Sequence, residues 1–323
     1  MNCSARRFRA LLFAVVLFAV STMPAQTAAA PQRSVSERLG YPGNSRLLVI
    51  HADDFGMDHS VDRAISAALE NHWVTSASIL VPCPWFPEVV KFAHEHPDAD
   101  LGIHLALNSE WTPYRWGPVS PKDKVPSLLD ADGYMPLTED IVARQARIPE
   151  VETELHAQID RAQHAGIKLS HFDTHMGTVL GTTDLFTTYL KMGQEYHTPV
   201  LLERRPFPGV QLNPEAILVD KVLQITPDVP PSQWLDAYKK MLAPLPPGSY
   251  QLIVHLGYDD EELRGATYDH PNWGAAWRQR DFDMVRSPEF QNFLKQQGFI
   301  LVSWHDLARA ANSSGMGALT STR

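Results

Sequence analysis

The sequence predicts an α/β fold in which a parallel sheet of about seven strands forms a barrel-like (β/α) domain. Short apolar runs rich in strand-forming residues alternate with helical patterns along the chain, which is typical of consecutive βαβ units. The runs are apolar throughout, as expected for strands whose two faces are both covered. The length of 323 residues leaves room for one large domain or two small ones.

The predicted elements follow one another in a regular order. Strands are expected at residues 46–52, 76–82, 100–107, 167–175, 199–203, 250–258 and 299–304. Helices are expected at residues 60–72, 86–97, 149–166, 183–197, 231–242 and 287–298. The helix at 149–166 shows the basis of these predictions, because Val151, Leu155 and Ile159 share one face. Pro149 and Gly166 mark its two ends.

Residues 108–136 interrupt this alternation. They show no clear periodicity and hold Trp111, Tyr114 and Trp116 among several prolines. A long segment of this kind in a compact domain is usually functional, so we expect an ordered loop at the site.

The N-terminus has the pattern of a secretory signal peptide. Arg6, Arg7 and Arg9 precede the apolar run 10–20, and small residues follow it. We therefore expect a signal peptide at 1–30, a linker at 31–45, a single domain at 46–312 and a disordered tail at 313–323. The mature protein would be secreted or periplasmic, without stable membrane insertion. A retained N-terminal anchor is the alternative.

Charge and cysteine content exclude some classes of function. The formal net charge is −9, which argues against a nucleic-acid partner, because phosphate binding needs a basic surface. Cys3 lies in the predicted signal peptide, so the mature chain would keep only Cys83 and form no internal disulfide. Cys83 could be a nucleophile, but a small buried side chain is the more common role for such a cysteine.

Acid–base and metal-ligating side chains recur at the ends of four predicted strands. They are Asp53, Asp54, His104, His171, Asp173, His175 and His255. The carboxyl ends of parallel strands meet at one edge of a sheet, where α/β proteins bind ligands. The pattern therefore predicts a site, and the alternative is a set of unrelated polar groups in the core.

The spacing H-x-D-x-H at 171–175 places three potential ligands, two imidazoles and a carboxylate, on one face of a strand. A carboxylate with imidazoles suits Zn²⁺ or a more oxygen-loving divalent metal, although a hydrogen-bonded polar ladder would have the same spacing. Of the adjacent Asp53 and Asp54, one could bind the metal while the other takes a proton from water. The alternative is a helix N-cap, a role that Asp58 or Ser60 can already fill.

Taken together, these motifs resemble those of the YdjC/ChbG-like carbohydrate deacetylases, over residues 46–306. The matching stretches are ADDFG (52–56), WVTSASILV (73–81), LGIHLAL (101–107), SHFDTH (170–175), VHLGYDD (254–260) and RDFDMVRS (280–287). The resemblance implies a seven-stranded, barrel-like fold of the deacetylase type. It also implies a hydrolase that uses Mg²⁺ or Zn²⁺ to remove acetyl groups from a carbohydrate by cleaving linear amides.

The resemblance also suggests individual roles. Asp54, His104 and His175 would bind the metal. Asp53 would be the general base, and His255 the general acid or oxyanion partner. The residues expected to orient these groups are His171, Asp173 and Arg280, and those expected to contact substrate are Trp111, Trp116 and Tyr258. For the tryptophans, packing within the loop is the alternative role.

Two departures from the family pattern keep other functions open. Gly177 stands where a histidine is common, and Leu256 replaces a proline. The alternatives are an exported glycan-binding protein without catalysis, and a metal-dependent esterase or phosphodiesterase. The sequence does not specify the sugar, whether an N- or O-acetyl group is cleaved, the metal or the oligomeric state, for which a homodimer is one option.

Overall fold

The computed structural model describes residues 34–212 and 216–312. The strands are β1 Arg46–Phe55, β2 Ser76–Ile79, β3 Leu101–Leu105, β4 Leu169–Thr174, β5 Val200–Glu203, β6 Ala216–Val219, β7 Lys221–Leu223, β8 Gly248–Val254 and β9 Phe299–Leu301. The helices are α1 Val35–Arg38, α2 His59–Glu70, α3 Phe86–Glu95, α4 Glu139–Gln145, α5 Ile148–His164, α6 Thr183–Tyr196, α7 Trp234–Leu242, α8 Glu261–Ala266, α9 Ala275–Val285, α10 Pro288–Gln296 and α11 Trp304–Asn312.

The predicted α/β class is confirmed, with nine strands in the described residues instead of about seven. The strands form one sheet in the order β6-β5-β4-β3-β2-β1-β8-β7, and β9 also pairs with β1. All the strand pairings among the described residues are parallel. Their carboxyl ends therefore lie along a common edge, as the sequence predicted.

β1 lies at the centre of the sheet. β8 pairs along one edge of β1 from Arg46 to Ala52, while β9 pairs with residues 46–48 and β2 with residues 51–55. Residues 47–55 of β1 are buried, in agreement with an apolar run that is covered on both faces.

The two end strands of this order follow each other in the chain. Only Asp220 separates β6 from β7, and its backbone N–H donates to Ser249 O over 2.7 Å. The sheet therefore curls until its ends meet, which gives the barrel-like shape. No strands were predicted at β6 and β7, because these strands have only 4 and 3 residues, too few for a period to emerge.

Helices pack around the sheet through the faces that their periodicity predicts. In α5, Val151, Leu155 and Ile159 are buried. Asp58 caps α2 by accepting the backbone N–H of Val61 over 2.8 Å, so Asp53 and Asp54 are not needed for that role.

The loop 108–136 is ordered, as predicted, and it is anchored to α5. The backbone N–H groups of Val119 and Ser120 each donate to the buried carboxylate of Glu154 over 2.9 Å. The indole N–H of Trp116 donates to Asn108 O over 3.0 Å. The first two bonds fix the loop to α5, and the third joins two parts of the loop itself.

The predicted signal peptide and C-terminal tail lie outside the described residues, and the described part of the predicted linker contains α1. Among the described helices, none combines the length and the apolar character needed to cross a bilayer.

Candidate active site

The end of β1 brings two adjacent carboxylates to the same side. Neighbouring strand residues normally point to opposite faces. Asp54 has a left-handed backbone with φ of 71°, an uncommon conformation for a non-glycine residue. As a result Asp53 Oδ2 and Asp54 Oδ1 lie 3.8 and 3.6 Å from His104 Nε2. Both carboxylates are buried.

Asp54, His104 and His175 form a compact set of donors. Their ligand atoms lie within 4.8 Å of one another, and Asp54 Oδ1 is 3.4 Å from His175 Nδ1. Asp54 Oδ1 is buried, and apart from the His104 and His175 imidazoles it has no hydrogen-bond donor within the described structure. A buried carboxylate oxygen flanked by two imidazoles fits a divalent cation, since one carboxylate and two imidazoles leave coordination positions for water or substrate.

His104 is oriented by a carboxylate behind it. Its Nδ1 lies 2.8 Å from Asp173 Oδ1, and Asp173 Oδ2 lies 2.9 Å from His51 Nε2. Ser78 Oγ contacts both imidazoles, at 3.0 Å from His51 and 3.2 Å from His104. Such contacts fix the ring orientation of a ligating histidine. Asp173 was predicted here from the sequence, whereas His51 and Ser78 were not.

His171, two residues before Asp173 on β4, is fully buried. Its ring stacks on Trp304 at a centroid distance of 4.5 Å, and its Nδ1 contacts Ser170 Oγ at 2.8 Å. Its Nε2 is 3.9 Å from Asp173 Oδ2. A side chain at Gly102 would overlap the His171 ring, so the glycine of the LGIH motif makes room for this histidine.

Glu110 from the long loop completes the surroundings of His175. Glu110 Oε2 lies 2.8 Å from His175 Nε2. Burial lowers the pKa of His175, but the Glu110 and Asp54 carboxylates outweigh it and raise the pKa to about 10. Glu110 was not predicted, because a loop without periodicity does not show which of its residues face the sheet.

Asp53 is placed to accept a proton. Burial, opposed by the His104 charge, raises the pKa of Asp53 to about 6. A carboxylate with a pKa close to neutral is an effective general base. His255 Nε2 is 3.8 Å from Asp53 Oδ2.

His255 is held from both its backbone and its ring. Its backbone N–H donates to Asp281 over 3.0 Å, and its ring packs 4.9 Å from that of Trp277. Burial lowers the pKa of His255 to about 3, against the opposing effect of Asp54. A neutral ring favours the role of N–H donor over that of an acid that arrives protonated.

Arg278 is a site residue that sequence analysis missed. Its Nη2 donates to Asp54 Oδ2 over 2.7 Å, and both side chains are buried. Burial raises the pKa of Asp54, but Arg278 and His175 outweigh it and hold the pKa well below its usual range. Arg278 therefore binds one oxygen of Asp54 and leaves the other facing the two imidazoles.

The predicted Arg280 points elsewhere. Its guanidinium lies 4.7 Å from the centre of the Trp234 ring, and Trp234 donates to Asp281 over 2.8 Å. Any effect of Arg280 on His255 therefore passes through Trp234 and Asp281. The orienting role predicted for it stays a prediction.

The three predicted substrate contacts are packed against protein. Trp111 lies beneath the Arg278 guanidinium at 5.9 Å, and Trp116 lies 5.7 Å from His175. Both are buried, with exposed fractions of 3% and 2%. Tyr258 packs between Arg63 and Phe282. In contrast, Trp273 is 37% exposed and stacks edge-on to Trp277 at 4.9 Å.

Comparison with known proteins supports the motif assignment. A family model described as YdjC-like protein matches residues 47–296. The chain belongs to the YdjC-like family. The family resemblance inferred from the motifs is thereby confirmed.

Curated relatives of this YdjC-like chain carry a common name. A carbohydrate deacetylase from Thermus thermophilus is 32% identical over 285 residues, which cover 85% of this chain and 98% of that protein. A carbohydrate deacetylase from Brevibacillus brevis is 37% identical over 154 residues, or 47% of this chain and 58% of that protein.

A solved structure shares the fold. It is a protein from Enterococcus faecalis described as a cellobiose-phosphate cleavage protein, with a TM-score of 0.67 and 23% identity. The similarity covers 82% of this chain and 99% of that one, which shows that this fold extends over nearly the whole described domain.

Proposed function

We propose that this protein is a divalent-metal-dependent hydrolase that removes acetyl groups from a carbohydrate. The observation that carries the proposal is the convergence of Asp53, Asp54, His104 and His175 at the carboxyl edge of the sheet. The names of the curated relatives support a carbohydrate as the substrate.

The residues divide into a metal-binding and a proton-transferring group. Asp54, His104 and His175 would hold the ion, with Arg278 bound to the second oxygen of Asp54. When bound, Mg²⁺ or Zn²⁺ would polarise the acetyl carbonyl and lower the pKa of a water molecule.

Proton transfer falls to Asp53. Its carboxylate accepts the proton of the attacking water and returns it to the leaving amine or alcohol as the bond to the acetyl carbon breaks. His255, within 3.8 Å of Asp53, donates its ring N–H to the oxygen that becomes negative. This role follows from its neutral ring, and of the two roles that the family resemblance left open it is that of the oxyanion partner.

The test is acetate release from N-acetylated oligosaccharides with added metal. We expect Asp53→Asn to lower kcat by about 10²- to 10⁴-fold, the usual contribution of a general base, while metal binding persists. Asp283→Asn is the matched control, because it makes the same change at an exposed aspartate that pairs with Arg286 at the protein surface. Full activity in Asp53→Asn would contradict the assignment.

Export is a second part of the proposal. The basic and apolar pattern of residues 1–30 supports a cleaved signal peptide. Fractionation of producing cells, with N-terminal sequencing of the mature protein, tests it. A cytosolic protein that keeps residues 1–30 would contradict it.

A further inference from the structure

A cavity of about 290 Å³ opens directly beside the proposed general base. Asp53, His104 and Asp173 form one end of its wall. The rest is largely apolar and comes from β5, β7, β8, the turn after β4 and the segment after β5. Its apolar residues are Leu180, Leu201, Leu202, Phe207, Val222 and Ile253.

The size of this cavity exceeds what an acetyl group requires. A methyl group is about as large as a water molecule, which takes roughly 30 Å³ in the liquid. The cavity is several times larger, and it begins at Asp53 and His104, two of the residues that would surround the acyl carbonyl. An acyl chain that continues from that carbonyl would therefore extend into it.

The chemistry of the wall argues against a sugar ring inside the cavity. Each buried hydroxyl of a sugar needs a hydrogen-bond partner. Away from the catalytic end, the charged residues of the wall are Glu203 and Arg205. Glu203 already accepts the backbone N–H of Val222 over 3.0 Å, and the Arg205 guanidinium lies 5.5 Å from the Phe207 ring. An apolar occupant fits this wall better.

We propose that the cavity receives the acyl chain of the substrate and that the site hydrolyses N-acyl sugars with chains longer than acetyl. This inference rests on the proposed hydrolase function and names its substrate class more closely. In the reaction, water adds to the acyl carbon and the C–N bond breaks. The two protons of water go to the nitrogen, so the products are a fatty carboxylate and the sugar amine in its ammonium form.

The first experiment uses the unaltered protein and glucosamine disaccharides that carry N-acetyl, N-butanoyl or N-hexanoyl groups. Release of free amine gives one readout for all three substrates. We expect kcat/KM to rise by roughly fourfold for each added methylene that leaves water, until the cavity is full. A steady fall with chain length, while the acetyl substrate is hydrolysed, would overturn the acyl cavity and leave the proposed function intact. Hydrolysis of none of the three would overturn both.

A matched pair of variants locates the effect. Val222→Phe fills the cavity, while Val210→Phe makes the same change at a half-buried valine outside its wall. We expect Val222→Phe to lower the ratio of hexanoyl to acetyl kcat/KM by about tenfold or more, since roughly two methylenes lose their place. Val210→Phe should leave this ratio unchanged. An equal loss on all substrates in Val222→Phe would instead assign the cavity to the sugar and overturn the proposal. Thermal unfolding identifies a variant that fails to fold, and the chain-length series does not depend on either variant.

Discussion

Arg278 binds Asp54 Oδ2 over 2.7 Å, and each side chain is no more than 3% exposed. The contact fixes the carboxylate so that its other oxygen faces His104 and His175. It also neutralises one of the two adjacent carboxylates at the end of β1, which lowers the free-energy cost of burying them.

Replacement of Arg278 by lysine tests this contact. Lysine keeps the charge but loses the planar guanidinium that holds the carboxylate. We expect Arg278→Lys to weaken metal binding by about 10- to 100-fold, the usual effect of a lost contact behind a ligand. Isothermal titration with metal measures it.

Arg280→Lys is the control for this prediction. Arg280 lies on the same helix, but its guanidinium packs on Trp234. Its replacement should leave metal affinity nearly unchanged. Equal losses in the two variants would show that Arg278 has no specific role at Asp54.

Metal binding should release a proton from His175. Because the Glu110 and Asp54 carboxylates raise its pKa to about 10 against the effect of burial, the ring is protonated at pH 7.5 in the metal-free protein. A ligating imidazole must be neutral, so binding releases about one proton from this ring and tightens as the pH rises from 7 to 9.

Titrations in buffers of different ionisation enthalpy count this proton. In Glu110→Gln the pKa of His175 loses one of the two carboxylates that raise it, so the released fraction at pH 7.5 should fall. If the unaltered protein binds metal without releasing a proton, His175 is not a ligand that is protonated in the metal-free protein.

Gly102→Ala should destabilise the fold. The new Cβ would overlap the His171 imidazole, which is fully buried and stacked on Trp304. We expect a loss of about 1–3 kcal/mol in the free energy of unfolding, as for an overpacked core. Urea denaturation measures it.

Gly265→Ala is the matched control, because its Cβ would meet no atom within 4 Å. It lies in α8, where alanine favours the helix. If the Gly102→Ala protein is as stable as Gly265→Ala, the His171 ring can shift, and stability does not depend on the absence of a side chain at residue 102.

Trp273 is an exposed aromatic residue that is connected to His255 through ring contacts. Its ring contacts that of Trp277, which in turn packs against the ring of His255. We expect Trp273→Ala to raise KM for an acetylated tetrasaccharide by about two- to tenfold through a lost stacking contact. KM for a small acetyl ester should not change. Tyr41→Ala, with a similar exposed fraction of 38% in the segment before β1, is the control. A Trp273→Ala enzyme with unaltered KM for the tetrasaccharide would contradict a role for Trp273 in binding the sugar.

The residues at the strand ends could be predicted because the apolar runs identify the strands and the parallel topology brings their carboxyl ends together. Once the apolar runs predict parallel strands, Asp53, His104, His175 and His255 must meet at one edge. The helix α9 carried a similar signal that was overlooked. Trp277, Arg278, Asp281 and Phe282 are buried three or four positions apart, so a helical reading of 275–285 would have placed Arg278 and Asp281 on the inner face.

Other features depend on tertiary structure. No local sequence pattern predicts the left-handed backbone of Asp54. This backbone turns both carboxylates towards His104. The contact of Glu110 with His175 depends on how Glu154 anchors the loop. The burial of Trp111 and Trp116, like the exposure of Trp273, follows from packing between loops far apart in sequence.

The central claim is that one metal ion, held by Asp54, His104 and His175, is required to remove acetyl groups from a carbohydrate. The most direct measurement follows acetate release from an N-acetylated oligosaccharide as metal is returned to chelator-treated protein. We expect no release without metal, full release at about one equivalent per chain, and no recovery in His175→Ala. Full activity without metal, or in His175→Ala, would contradict it.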